Sequence, residues 1–149
     1  MSYTNLLKGR HSEPGREYFI TTVIANRRPL LRELRPARIL VEAIKLTEAE
    51  GHGQWLTWVV MPDHFHGLLR LNEGASLPKV MNHLKGRTAK RINTYYGLSG
   101  QLWQPGYYDH ALRQEEDRLA LARYIVANPL RKGLVRRIGD YPHWDCVWL

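Results

Sequence analysis

The stretch Val59-Val60-Met61-Pro62-Asp63-His64-Phe65-His66-Gly67-Leu68-Leu69 decides how this chain is read. Pro62-Asp63 forms a tight connection between two apolar runs, Gln54–Met61 and His64–Leu71. Strands joined so closely are expected to be antiparallel neighbours. Side chains alternate along a strand, so His64 and His66 share one face and Phe65 points to the other, toward a core. Two imidazoles side by side supply two legs of a metal site. The plainer reading is two polar residues on a solvated strand face. Asp63 either orients a histidine or only caps the turn.

Working outward, Tyr18-Phe19-Ile20-Thr21-Thr22-Val23-Ile24 is aromatic and β-branched and reads as a strand. It follows a loop around Pro14-Gly15. Leu34 to Glu50 carries Leu34, Ala37, Leu40, Val41 and Ile44 at helical spacing, and Gly51-His52-Gly53 closes it. Ser76 is an N-cap for a long helix whose apolar face is Leu77, Val80, Met81, Leu84, Thr88 and Ile92. Gly97 to Gly100 stops it. Leu102 to Arg113 reads as two short strands around a turn at Pro105-Gly106, and Glu115 to Asn128 as a helix with acidic residues in its first turn. Pro129 limits that helix. Strand, helix, two strands, helix, strand pair, helix is an α+β order. It suits a mainly antiparallel sheet with helices packed on it, as in ferredoxin-like split βαβ folds.

On the last helix, Tyr124 and Asn128 are four residues apart and share a face. Tyr124 fits a nucleophile and Asn128 an oxygen ligand; a half-buried aromatic and a helix C-cap are the structural alternatives. A phenol, with pKa near 10, is a weak nucleophile and needs a metal or a base. Tyr107, Tyr108 and Tyr141 compete for the role, although packing or base stacking suits them better.

The 149 residues fit one domain. With 44% hydrophobic and 24% charged residues, the composition is that of an ordinary globular chain and excludes global disorder. No run approaches the roughly 18 apolar residues of a membrane helix, and the first residues lack the apolar core of a signal peptide. Cys146 is the single cysteine, so neither an internal disulfide nor a cysteine-rich zinc site is available. A cytoplasmic setting without membrane association is expected. The net charge of +8 points to a polyanion, most simply nucleic acid. Lys85, Arg87, Lys90 and Arg91 on the long helix and Arg131 after the tyrosine supply candidate phosphate contacts, with Lys79, His83, Arg27, Arg28, Lys132, Arg136 and Arg137 as further charge. Tyr3, Tyr95, Tyr96, Trp103 and Trp144 are candidates for stacking on unpaired bases. No Gly-x-x-x-x-Gly-Lys-Ser/Thr loop is present, so no nucleotide cofactor is expected.

Taken together, these residues resemble the REP-associated tyrosine transposases, single-tyrosine transposases of the HUH endonuclease superfamily. The resemblance runs from Leu7 to Leu149. Met61–His66 looks like the histidine–hydrophobic–histidine motif, Arg123–Leu134 like the tyrosine helix, and Trp103–His110 like a further family segment. Lys8-Gly9-Arg10 with Pro14-Gly15 and Tyr18-Phe19 is similar to the N-terminal segment of the REP-associated branch. The resemblance implies a divalent metal, Mg²⁺ or Mn²⁺, held by His64, His66 and Asn128; more distant members carry glutamine at the third position. It implies Tyr124 as nucleophile, with cutting and rejoining of single-stranded DNA beside hairpins (REP elements) through a 5′-phosphotyrosine. Lys8, Arg10 and Arg16 are then expected to read the foot of the hairpin. A bacterial, nucleoid-associated protein, acting as a monomer or homodimer, is the corresponding expectation.

The domain expected is a single one over residues 1–149, with a basic N-terminal segment 1–16 and a C-terminal tail 135–149. The tail, from Tyr141 to Leu149, is too apolar to remain free and should fold back. A non-cleaving hairpin-binding regulator on the same fold is the chief alternative. A phosphodiesterase using activated water and a replication-initiator or relaxase nuclease are the others.

Overall fold

The computed structural model describes residues 15–113 and 117–149. Five strands, β1 (Glu17–Val23), β2 (Gly53–Val60), β3 (His64–Leu71), β4 (Tyr108–Ala111) and β5 (Trp144–Cys146), form one sheet in the order β4-β1-β3-β2-β5. Every pairing is antiparallel. The four main helices are α1 (Leu34–Ala49), α2 (Leu77–Tyr96), α3 (Arg118–Val126) and α4 (Asn128–Arg131). The first four strands have the split βαβ order, and β5 is added beside β2. The expected α+β, ferredoxin-like class is therefore the observed one. Among the described residues, no helix is long and apolar enough to cross a membrane.

The two faces of the sheet are covered differently. Tyr18, Ile20, Phe65, Leu69 and Leu71 pack with the apolar faces of α1 and α2 in the larger core. On the other face, Leu56, Val59 and Leu68 pack with Ile125 of α3. Ser76 caps α2 by accepting a hydrogen bond from the Lys79 backbone N–H, and Gly97, at φ 67°, ends the helix in the left-handed conformation that glycine adopts without cost.

β2 departs from simple alternation. Its register against β3 shifts between Trp55 and Thr57, leaving Leu56 as an extra residue. Strict period two would send Trp55 and Trp58 to opposite faces. The bulge resets the phase, so both indoles enter the larger core while Leu56 and Val59 face α3. The Trp55 ring lies across β3, edge to face with Phe65 at 5.3 Å, over the position where Gly67 has no side chain.

Two expected elements differ. The strand pair over Leu102–Arg113 is one strand, β4, preceded by an isolated bridge between Trp103 and Ile24. Both pieces pair with the β1 side of the sheet rather than with each other, and Pro105-Gly106 bulges out between them. Trp103 is committed to the core, where its indole N–H donates to Thr88 Oγ1. The helix expected from Glu115 starts at Arg118, because the Asp117 carboxylate accepts from the backbone N–H groups of Leu119 and Ala120; Glu115 lies outside the described residues. It breaks at Ala127, before Pro129.

The tail does fold back. β5 pairs with β2, the Tyr141 hydroxyl donates to the Val60 carbonyl at 2.6 Å, and Cys146 packs with Ala122 and Val126. Only its first part is buried: Val147 and Leu149 remain exposed, and Trp148 lies under the Arg118 guanidinium.

A Cβ at Gly67 would fall 2.6 Å from Trp55 Cζ3 and 2.9 Å from Phe65 Cζ. Overpacking of this kind costs about 1–3 kcal/mol. Gly67→Ala is expected to lower the urea midpoint by that equivalent with an unchanged slope; an unaltered midpoint would mean that the indole has room to move.

Candidate active site

β3 is hydrogen-bonded on both sides, which fixes the direction of its side chains. Phe65 is fully buried toward α1 and α2, while His64 and His66 stand on the face that carries α3, their ring centroids 4.5 Å apart. The turn before them is locked. Met61 N–H donates to the His64 carbonyl, Ile24 N–H to the Asp63 carbonyl and Leu31 N–H to the Pro62 carbonyl, all at 2.8–2.9 Å.

Each imidazole has one nitrogen engaged. His64 Nδ1–H donates to Asp63 Oδ1 at 2.6 Å. Asp63 thus orients its neighbour, one of the two roles its position allowed. His66 Nδ1 lies 2.7 Å from Thr21 Oγ1, its cross-strand partner on β1; donation from Nδ1–H leaves Nε2 with a free lone pair, as at His64. The Phe19 ring stacks on His66 at 5.5 Å and 21°. Burial lowers the pKa of His64, against the pull of Asp63. Burial, then His64 and the cations Arg131 and Arg27, push His66 down to about 3. Both rings are therefore neutral at physiological pH, the form that ligates a metal.

Arg27, in sequence one basic residue among many, belongs to this site. Its guanidinium donates to Asp63 Oδ2 at 3.2 Å. It reaches there because Asn26 and Arg27 both adopt positive φ, 61° and 51°, in the turn after β1. For a residue with a side chain that conformation costs about 1–2 kcal/mol, and the Arg27 N–H bond to the Ile24 carbonyl helps to hold it.

Asn128 and Tyr124 come from the opposite layer. α3 is anchored by Ile125, Ala122 and Val126, which leaves Tyr124 half exposed, at 54%. Asn128, at 4% exposure, opens α4 after the break at Ala127. Gly133, at φ 70°, and Leu134 close α4, their N–H groups returning to the Leu130 and Pro129 carbonyls. The two residues thus follow one another by a helical turn but differ in exposure. Arg131 links Tyr124 electrostatically to the histidine pair. Its guanidinium lies 3.8 Å from the centre of the Tyr124 ring, and its charge is felt at His66. Lys132 similarly acts on His64. The site is electropositive, suited to a phosphate.

Of the competing tyrosines only Tyr108, half exposed and paired with Thr21 across β1 and β4, lies near the histidines. Tyr141 is held by Val60, and burial pushes its hydroxyl up to about 12. Tyr107 is buried, and Tyr108 packs edge-on against Phe19.

The expected phosphate contacts are scattered. Lys8 and Arg10 lie outside the described residues, and Arg16 leads into β1, its carbonyl accepting from Leu71 N–H. Lys85, Arg87, Lys90 and Arg91 are on α2, across the sheet from the histidines. Lys85 Nζ donates to the Gln104 and Gly106 carbonyls, and burial holds it down to about 8; it clips the 104–106 loop. Arg87 forms a two-pronged pair with Glu50, and Arg91 bonds Glu42. Of the candidate stacking aromatics, Trp103 is buried and Tyr96 is bonded to the Leu30 carbonyl, whereas Tyr95 is exposed beside Arg35, Lys90 and Arg91. Tyr3 is not among the described residues.

A paired-histidine strand facing a tyrosine helix defines a class, and comparison with known proteins identifies it. Residues 15–128 match the family "Transposase IS200 like", and the chain belongs to that family. Over 133 residues it is 29% identical to the REP-associated tyrosine transposase of Escherichia coli (strain K12), spanning 89% of this chain and 78% of the relative. It is also 29% identical over 92 residues to the ISDra2 transposase TnpA of Deinococcus radiodurans, spanning 58% and 65%. Among solved structures, that of a REP-associated tyrosine transposase bound to a REP hairpin superposes with a TM-score of 0.75 at 28% identity, covering 91% of this chain and 79% of that one.

Removing the Asp63 carboxylate frees the His64 ring and leaves Arg27 without its partner. Loss of such an outer carboxylate typically weakens a metal site about 10–100-fold. Asp63→Ala is expected to weaken Mn²⁺ binding by that factor, read by calorimetric titration, with the circular dichroism spectrum retained. Unchanged affinity would mean that Asp63 serves only the turn.

Proposed function

We propose that this chain is a metal-dependent single-stranded DNA endonuclease and strand transferase acting at REP hairpins, with Tyr124 as nucleophile. One observation carries the reading: two neutral imidazoles with their Nδ1 atoms already engaged stand on the sheet face that α3 covers, and Arg131, whose charge acts on His66, lies over the Tyr124 ring. The relative of known structure was solved with a REP hairpin, which supports hairpin DNA as the substrate class.

His64 Nε2, His66 Nε2 and the Asn128 amide oxygen would hold the ion. The donor set fits Mn²⁺ and, with added waters, Mg²⁺. Bound there, such an ion would supply Lewis-acid polarisation of the scissile phosphate and neutralise its developing charge. Arg131 and Lys132 draw the phosphate in, and the Arg131 guanidinium positions the phenol. The Tyr124 hydroxyl oxygen bonds to phosphorus, the bond from phosphorus to the 3′ oxygen breaks, the phenolic proton passes to water, and the leaving 3′ oxygen takes a proton from water. The products are a 5′-phosphotyrosine and a free 3′ hydroxyl. The reverse attack by a 3′ hydroxyl rejoins the strand without ATP, because the phosphodiester is conserved in the covalent link. Lys8, Arg10 and Arg16 are assigned to the foot of the hairpin, and Lys90, beside Tyr95, to an outlying phosphate.

Tyr124→Phe is expected to abolish cleavage of a hairpin-bearing oligonucleotide while leaving its binding within a few fold, since affinity comes from phosphate and base contacts. His64→Ala and His66→Ala should each remove metal-dependent cleavage, and Asn128→Ala should reduce it less, because water partly replaces an amide oxygen. Cleavage by the Phe variant would assign the nucleophile elsewhere. Hairpin binding by the wild-type chain with no cleavage in Mn²⁺ would favour a non-cleaving regulator.

A further inference from the structure

A second cluster of ligand-type side chains lies across the sheet from the site above, where α1, the turn into β2 and α2 meet. Glu50 ends α1, His52 stands in the turn Gly51-His52-Gly53, and His83 is on α2. His83 Nδ1 lies 3.1 Å from His52 Nε2. Glu50 Oε1 lies 3.8 Å from that same His52 atom and 3.9 Å from that same His83 atom. The point equidistant from all three atoms of this triangle is roughly 2.1 Å from each, within the about 2.0–2.2 Å range of zinc–imidazole and zinc–carboxylate bonds. We propose that Glu50, His52 and His83 form a second divalent-metal site, selective for zinc or a neighbouring first-row transition ion and separate from the His64–His66 pair.

The three ligands are held before any ion arrives. His52 N–H donates to the Thr47 carbonyl, its own carbonyl accepts from Asn72 N–H, and Asn72 Nδ2 donates to the Gly51 carbonyl. The Glu50 carboxylate is oriented by Arg87, which donates to Oε1 at 2.5 Å and to Oε2 at 2.7 Å. A carboxylate oxygen has a second lone pair for an ion, and an outer-sphere cation of this kind fixes the ligand while moderating its charge. Lys79 and Arg87 are the cations acting on His52, and Glu50 is the opposing acid. Two imidazoles favour a borderline ion over Mg²⁺ or Ca²⁺, which prefer oxygen. With three protein ligands, the remaining position falls to solvent. The ion joins the end of α1 to α2, so its role is to brace the helical layer.

The test is zinc binding by the full chain carrying His64→Ala and His66→Ala, with free Zn²⁺ set by a competing chelator. One equivalent is expected, together with a zinc-dependent rise in melting temperature. Adding His83→Gln, a half-exposed position on α2, should weaken binding at least tenfold and remove the thermal shift; adding Glu50→Gln should weaken it less. In the otherwise wild-type chain, His83→Gln should remove one bound equivalent. No zinc uptake by the first variant, or unchanged uptake after His83→Gln in both backgrounds, would overturn the proposal.

Discussion

The fixed alternation of β3 is the constraint on which the rest of this molecule depends. A strand paired on both sides cannot rotate its side chains, and a slip of one residue would exchange every residue between its two faces. Such a slip would drive His64 and His66 into the core beneath α1 and α2 and expel Phe65, which is fully buried. The larger core therefore enforces the register that presents the imidazoles. Gly67 and the Leu56 bulge complete the arrangement by letting two tryptophans occupy the same side, away from the site.

With the strand fixed, chemistry is added in layers. Asp63 and Thr21, one from the turn and one from the neighbouring strand, engage the two Nδ1 atoms. Arg27 reaches Asp63 only through a turn with two left-handed residues, so conformational energy is spent to surround the pair with positive charge. α3 is then set against Leu56, Val59 and Leu68 with its tyrosine left outside. The apolar side of α3 decides where it sits, and the short α4 behind it brings Arg131 over the phenol.

Much of this was legible in the sequence. Alternation around Phe65 gave the facing histidines, Ser76 the start of α2, and the element order the sheet class. What escaped reading has physical causes. The bulge at Leu56 breaks period two without a glycine or proline to announce it. The segment before β4 carries a turn dipeptide, yet the turn is a bulge along β1 rather than a hairpin, because Trp103 is claimed by Thr88. Lys85, Arg87 and Arg91 looked like free charge along a helix; pairing with carbonyls, Glu50 and Glu42 depends on elements distant in the chain. His52 and His83 meet across two elements, and no local spacing marks such a pair. Arg27 gained its role from backbone conformation, which composition does not encode.

We propose that one tyrosine, Tyr124 beneath the Arg131 guanidinium, forms the covalent bond to DNA. The most direct measurement is mass spectrometry of the protein after incubation with Mn²⁺ and a single-stranded hairpin oligonucleotide, with proteolysis of the adduct and sequencing of the peptide that carries the nucleotide. The account predicts a single modified peptide with the phosphate on Tyr124. A nucleotide on Tyr107, Tyr108 or Tyr141, or cleaved DNA with no protein-linked phosphate, would contradict it.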